Sequence, residues 1–159
     1  MLRLSAFILL LLLSHPAFAG HHNASENHNY QDSMVVLQSV HDVKTTTDKL
    51  EKVLKKSGMT VFIRIDHSAG AKKANLELRP TEVVIFGNPK VGTPLMQCAQ
   101  SIAIDLPQKM LIWQKADGST WLSYNNPQYL ADRHDLKGCD AVLKKVTGAL
   151  NKFATAATQ

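Results

Sequence analysis

Leu76-Glu77-Leu78-Arg79-Pro80-Thr81-Glu82-Val83-Val84-Ile85-Phe86-Gly87-Asn88-Pro89-Lys90-Val91-Gly92-Thr93-Pro94-Leu95-Met96 is the stretch on which the fold turns. Val83 to Phe86 is a run of β-formers short enough for a buried strand, and Gly87-Asn88-Pro89 punctuates it at once. Thr93 stands where an N-cap belongs, Pro94 where a missing N–H costs nothing, and Leu95, Met96 and Ala99 supply a helical face. The segment reads as strand, tight loop, helix. A helix start beside a strand end suits an anion or other ligand, but it names no reaction.

Outward from that segment, strands and helices alternate without repeats. Met34 to Val40 reads as a first strand. Val43 to Gly58 is the clearest helix: Thr45, Thr46, Thr47 and Asp48 offer caps, Asp48 and Glu51 make a capping-box pattern, and Gly58 suits a left-handed end. Met59 to Ile65 alternates, with Met59, Val61, Ile63 and Ile65 expected on one face and Arg64 on the wetter one. Asp66 to Gly70 reads as a loop. The second helix should fade near Ile102, and Lys109 to Gln114 and Thr120 to Tyr124 flank the hairpin signal Asp117-Gly118. Pro127 to His134 makes a short helix. Val142, Leu143, Val146, Leu150 and Phe153 stripe a last one, expected to fray from Ala154 onward.

The start of the chain has another character. Arg3, the apolar run Ala6 to Leu13 and the ending Ala17-Phe18-Ala19 describe a signal peptide over residues 1–19. The run is too short to span a bilayer, which takes ~20 apolar residues. No Cys follows it to carry a lipid, and no later run has membrane length. The expectation is an exported protein, periplasmic or secreted, without membrane insertion after cleavage. What remains is the length of one domain, roughly 100–200 residues. The formal charge of +5 falls by one with Arg3, and the lysines are scattered rather than gathered with aromatics, which argues against nucleic acid. An oxidising compartment favours a disulfide between the only two cysteines, Cys98 and Cys139; a metal pair or two separate thiols are the alternatives.

Residues 20–33 are polar and rich in histidine, the composition of a disordered leader. Cleavage after Ala19 would expose Gly20-His21-His22, whose amine, two amides and third-position imidazole can wrap Cu(II) or Ni(II) in a square plane. No other cofactor is expected.

Several blocks together carry a family resemblance. Arg64-Ile65-Asp66-His67, Glu77 to Glu82, Phe86 to Lys90, Gly92 to Met96, Asp105-Leu106-Pro107, Trp121 to Asn125 and Tyr129-Leu130-Ala131-x-Arg133-His134 stand in the order found in the family catalogued as domain of unknown function 302, which the chain resembles from about Val35 to Leu136. The resemblance implies a compact α+β domain, a two-layer sandwich with an antiparallel sheet of about five strands against helices, here over residues 34–156. It implies no activity.

Short connections are expected to gather His67, Arg79, Glu82, Asn88, Thr93, Tyr124, Asn125 and His134 into a polar pocket near the strand-loop-helix junction. An acid, a guanidinium, amides, a phenol and imidazoles can bind a small polar or anionic molecule. No Ser or Cys nucleophile stands paired with a base in the sequence. A binding or interaction domain is therefore the first reading, with a small polar molecule, an envelope protein or a second copy as partner. A small hydrolase- or lyase-like enzyme using His67 or His134 as base with Arg79 is the alternative, and copper or nickel handling at the processed terminus is a further one.

Overall fold

The computed structural model describes residues 33–159; the signal peptide expected over residues 1–19, the expected polar leader up to residue 32 and the metal site expected at Gly20, His21 and His22 lie outside the described residues. The elements in chain order are β1 (Met34–Ser39), α1 (Val43–Lys56), β2 (Thr60–Asp66), α2 (His67–Lys73), β3 (Thr81–Gly87), α3 (Pro89–Cys98), a 3₁₀ turn (Gln100–Ile104), β4 (Gln108–Gln114), β5 (Thr120–Asn125), α4 (Pro127–Arg133) and α5 (Asp140–Thr158). The five strands form one sheet in the order β1-β5-β4-β3-β2, with every neighbouring pair antiparallel. The expected α+β architecture with a five-stranded antiparallel sheet is what forms. α1 and α5 pack on each other and on one face of the sheet. Leu50, Leu54, Val84, Phe86, Met110, Ile112, Leu122, Leu150 and Phe153 fill the space between, with the Phe86 and Phe153 rings edge to face at 6.3 Å and 78°.

Local chemistry explains where the elements begin. α1 starts at Asp42, whose carboxylate accepts from the Thr45 N–H at 2.6 Å, rather than in the Thr45–Asp48 cluster. Thr46 and Thr47 are wholly buried and turn their hydroxyls back to the Asp42 and Val43 carbonyls at 2.7 and 2.8 Å, which frees Asp48 for other partners. Gly58 ends the helix with φ 73°, as its composition suggested. In α3 the cap is Asn88, not Thr93: the Asn88 side chain accepts from the Lys90 N–H at 2.9 Å and donates to the Gly58 carbonyl at 3.0 Å. Two Asx/Thr-Pro pairs compete for that role, and the one anchored to the neighbouring loop wins, leaving Pro94 inside the helix. Asp66 to Gly70 is no loop either. Asp66 caps α2 through the Ala69 N–H at 2.8 Å.

Two further expectations are overturned. In β2, Val61 pairs with Phe86 and Ile63 with Ile85, so Phe62 is a bulge without a partner. One extra residue flips the parity beyond it: Ile63 and Ile65 turn to the outer face and Arg64 turns toward α1. That outer face is largely apolar, with Val36, Leu111, Val83 and Ile65 in one cross-strand row that Ser123 interrupts. Its edges leave Val36 and Ile63 about half exposed, at 45% and 49%. At the other terminus, α5 does not fray after Phe153 but runs to Thr158, with Ala154, Ala157 and Thr158 buried. The Val40 N–H donates to the Thr158 carbonyl at 3.0 Å and the Ser39 hydroxyl approaches it at 3.4 Å, so β1 holds the last turn in place.

Candidate functional site

An antiparallel sheet sends successive connections to opposite ends, and this separates the expected site residues into two groups. His67, Arg79 and Glu82 lie at the end of the β4–β5 hairpin, while Asn88, Thr93, Asn125 and His134 lie at the end of the β3–α3 junction. Tyr124 is buried between, in the core. Arg79 donates from Nε to the carbonyl of Gln114, the last residue of β4, at 3.1 Å. His134 instead bonds Asp105, three residues before β4 begins. Seven strand residues, roughly 20 Å of chain, lie between these positions. Arg79 therefore does not serve His134, and the single polar pocket does not form.

At the hairpin end the charges satisfy one another. Arg64 donates from Nε to Glu82 at 2.7 Å and from Nη1 to Asp48 at 2.6 Å. Glu82 is buried, and its ionic partner is Arg64 rather than Arg79. Hydrogen bonds from Lys44 and then Arg64 hold the Asp48 carboxyl below its usual value. Arg64, Asp66, Ser68, Glu82 and Gln114 border a polar hollow of about 670 Å³. His67 opens α2, and no residue of α2 is buried.

At the junction end there is a cavity of about 460 Å³, and its walls are apolar. Phe62 and Phe86 come from the sheet, Leu106 from the segment before β4, and Val146, Leu150 and Phe153 from α5. Asn88 and Thr93 reach it, and of the expected site residues they alone do. The bulge is what turns Phe62 toward this space. Gly87 admits the ring: a Cβ there would stand 3.3 Å from Phe62 Cε2 and 3.6 Å from Pro107 Cβ. The cavity sits where the strand-loop-helix reading put a pocket. Its lining is the opposite of the polar one expected, because core residues make its walls: Phe86, Val146, Leu150 and Phe153 belong to both the core and the cavity.

Beside it, on the 3₁₀ turn, stands a hydrogen-bonded chain that the sequence does not announce. His134 Nε2 lies 2.6 Å from Asp105 Oδ2, and His134 Nδ1 lies 3.1 Å from Ser101 Oγ. Asp105 belongs to a recognisable block and Ser101 to none, and 29 residues separate Asp105 from His134 across a hairpin. No spacing rule connects them. Among the described residues, no group of three or more His, Cys, Asp and Glu is placed to hold a metal ion.

Tyr124 has a different use, as a probe of the core. Burial pushes its phenol above the ordinary value of 10.0. The folded state therefore holds that proton where the unfolded chain has lost it, so the stability is complete below about pH 10 and declines as pH rises beyond. Denaturant melts from pH 8 to 11 should show a decline that is shallower in Tyr124→Phe; parallel curves for the two proteins would contradict this.

Comparison with known proteins places the chain. The sequence profile of the family described as "Domain of unknown function DUF302" matches residues 35–153. A protein named Fluoride-specific ion channel FluC 1, from Brucella suis biovar 1, is 44% identical over 125 residues, which are 76% of this chain and 49% of that protein. Its namesake in Brucella abortus biovar 1 is likewise 44% identical over 125 residues, 76% of this chain and 46% of its own length. The chain thus spans about half the length of the curated relatives it matches. Among the described residues, no helix is long and apolar enough to cross a membrane. A crystal structure of an uncharacterized conserved protein DUF302 from Bacillus stearothermophilus superposes with a TM-score of 0.63 at 19% identity, covering 79% of this chain and 94% of that one. That likeness is one of fold.

Proposed function

We propose, from the premise that this chain belongs to the family described as Domain of unknown function DUF302, that it is an exported binding domain whose cavity takes a small apolar molecule. The observation that carries this is the cavity at the β3–α3 junction. Its 460 Å³ falls within the ~300–1,000 Å³ usual for ligand sites. Aromatic and aliphatic side chains make its walls, and Asn88, Thr93 and Gln108 supply a few polar groups that would orient the ligand. Burial of an acyl or ring system there gains about 25 cal/mol per Å² of apolar surface, without the penalty of stranding a charge. Lys145 is the one cation among the lining residues, and it is exposed to solvent, so the aromatic and aliphatic walls favour the apolar class over the polar one.

Titration with a dansylated medium-chain fatty acid tests this. The protein should raise and blue-shift the dansyl emission in a saturable way. Ala149→Phe, which fills the cavity from α5, should weaken binding at least tenfold, about 1.4 kcal/mol, with the melting temperature unchanged or raised. Equal affinity in wild type and Ala149→Phe would refute the assignment.

The Brucella relatives favour a second reading, a protein partner in the envelope. In them the matched stretch is about half of a longer chain, so the domain acts beside another portion. Co-migration of this protein with that separately expressed portion in size-exclusion chromatography would support the partner; separate elution would remove it.

A further inference from the structure

We propose that Ser101, His134 and Asp105 form a second site, a nucleophilic one that cleaves esters with small apolar acyl groups. This is independent of the cavity. The proton positions follow for a neutral imidazole beside an ionised Asp105. An ionised carboxylate only accepts, so the 2.6 Å contact with Asp105 Oδ2 places the ring hydrogen on His134 Nε2. The Nδ1 lone pair is then left facing Ser101 Oγ at 3.1 Å, and the hydroxyl donates to it. A serine whose proton is aimed at a neutral imidazole, itself held by a carboxylate, is the arrangement of an activated nucleophile.

The burial is graded in the direction such a site requires. The His134 and Asp105 side chains are 7% and 13% exposed, while Ser101 is open to solvent. The His134 backbone N–H donates to the Leu130 carbonyl at 3.1 Å, which fixes the end of α4, and Arg133 stands 3.5 Å from the second Asp105 oxygen, which helps hold that carboxylate. The acyl preference comes from the turn itself. In a 3₁₀ helix residues three apart eclipse, which puts Ile104, 74% exposed, on the same side as Ser101. It offers an apolar lip beside the hydroxyl.

In the reaction Ser101 Oγ bonds to the ester carbonyl carbon and its proton passes to His134 Nδ1. The bond from that carbon to the alkoxy oxygen breaks, and the alcohol leaves with the same proton. Water then adds to the acyl-serine, giving up a proton through His134, and the carboxylic acid departs as Ser101 regains its hydrogen. Asp105 is a positioning residue throughout.

The test uses the full chain with an alkyl fluorophosphonate and with p-nitrophenyl butyrate. The fluorophosphonate should leave a phosphonyl adduct that peptide mapping places on Ser101, with fluoride expelled. Ser101→Ala should lose both adduct and hydrolysis while melting within a few degrees of wild type. Asp105→Asn should lower kcat at least about a hundredfold with KM within twofold, because the imidazole is no longer held in the required tautomer. No adduct at Ser101, or hydrolysis undiminished in Ser101→Ala, overturns the proposal and leaves the three residues as a clamp between the 3₁₀ turn and α4. Should Asp105→Asn fail to fold, the Ser101 results decide alone.

Discussion

Arg64→Met should cost about 3 kcal/mol of unfolding free energy, the lower end of what breaking a buried ion pair costs. The reason lies in what is left behind. Glu82 faces the helical layer between β3 and α1, and its ionised carboxylate takes bonds from Arg64 Nε and Nη2 at 2.7 and 2.6 Å. The two side chains are 26% and 11% exposed, so water can replace only part of that cation. Denaturant melts should record the loss as a lower midpoint at unchanged slope. Removing both charges in Arg64→Met with Glu82→Leu should recover most of it, since the penalty belongs to the stranded charge rather than to the missing attraction. A single variant within 1 kcal/mol of wild type would mean that Glu82 is well solvated, against its burial. Acid stability carries the same signature. Asp48 has its carboxyl held down by Lys44 and by Arg64, so the stabilisation it supplies is present above its ordinary value of 3.8 and is lost as pH falls below that. Without Arg64 that acid slope should flatten.

Removing the Cys98–Cys139 disulfide should lower stability by about 3–4 kcal/mol on the chain-entropy account, a fall of roughly 10 °C in melting temperature. The pair spans 41 residues with Cα atoms 6.4 Å apart, and it joins the last residue of α3 to the residue that opens α5. The loop it closes holds the 3₁₀ turn, β4, β5 and α4, so the unfolded chain loses freedom over much of its length. The fold itself should survive, because the sheet and the α1–α5 layer use no cysteine. The cavity should feel the change more: α3 supplies Val91, Gly92 and Leu95 to one wall and α5 supplies Val146 and Leu150 to another. The double variant Cys98→Ser, Cys139→Ser should therefore melt early and bind the dansylated fatty acid more weakly. A melting temperature equal to wild type would show that packing alone sets the distance between the two helices.

Much of this molecule was legible from residue order because the signals are local. Periodicity located every strand, Gly58 ended its helix, Asp117-Gly118 turned its hairpin with Gly118 at φ 83°, and the two cysteines met at the contact between α3 and α5. The errors fell where two local signals tie or where one residue is inserted. Asn88-Pro89 and Thr93-Pro94 both read as helix starts, and only the bond from Asn88 to the Gly58 carbonyl, 30 residues away, separates them. The Met59 to Ile65 alternation is unbroken on paper. The bulge at Phe62 breaks it, and with it goes the face on which Arg64 lies.

Sites are decided at longer range still. The sequence by itself determined the fold class and the family, because hydrophobic period, caps and turn residues act over a few positions and are written in order. Which side chains meet was decided by the tertiary structure alone. Antiparallel pairing sent His67, Arg79 and Glu82 to one end of the sheet and Asn88, Thr93 and His134 to the other. The fold of β4 and β5 then carried His134 back across 29 residues to Asp105. Contacts of that span depend on strand order and on the hand of each connection, neither of which any short run of residues encodes.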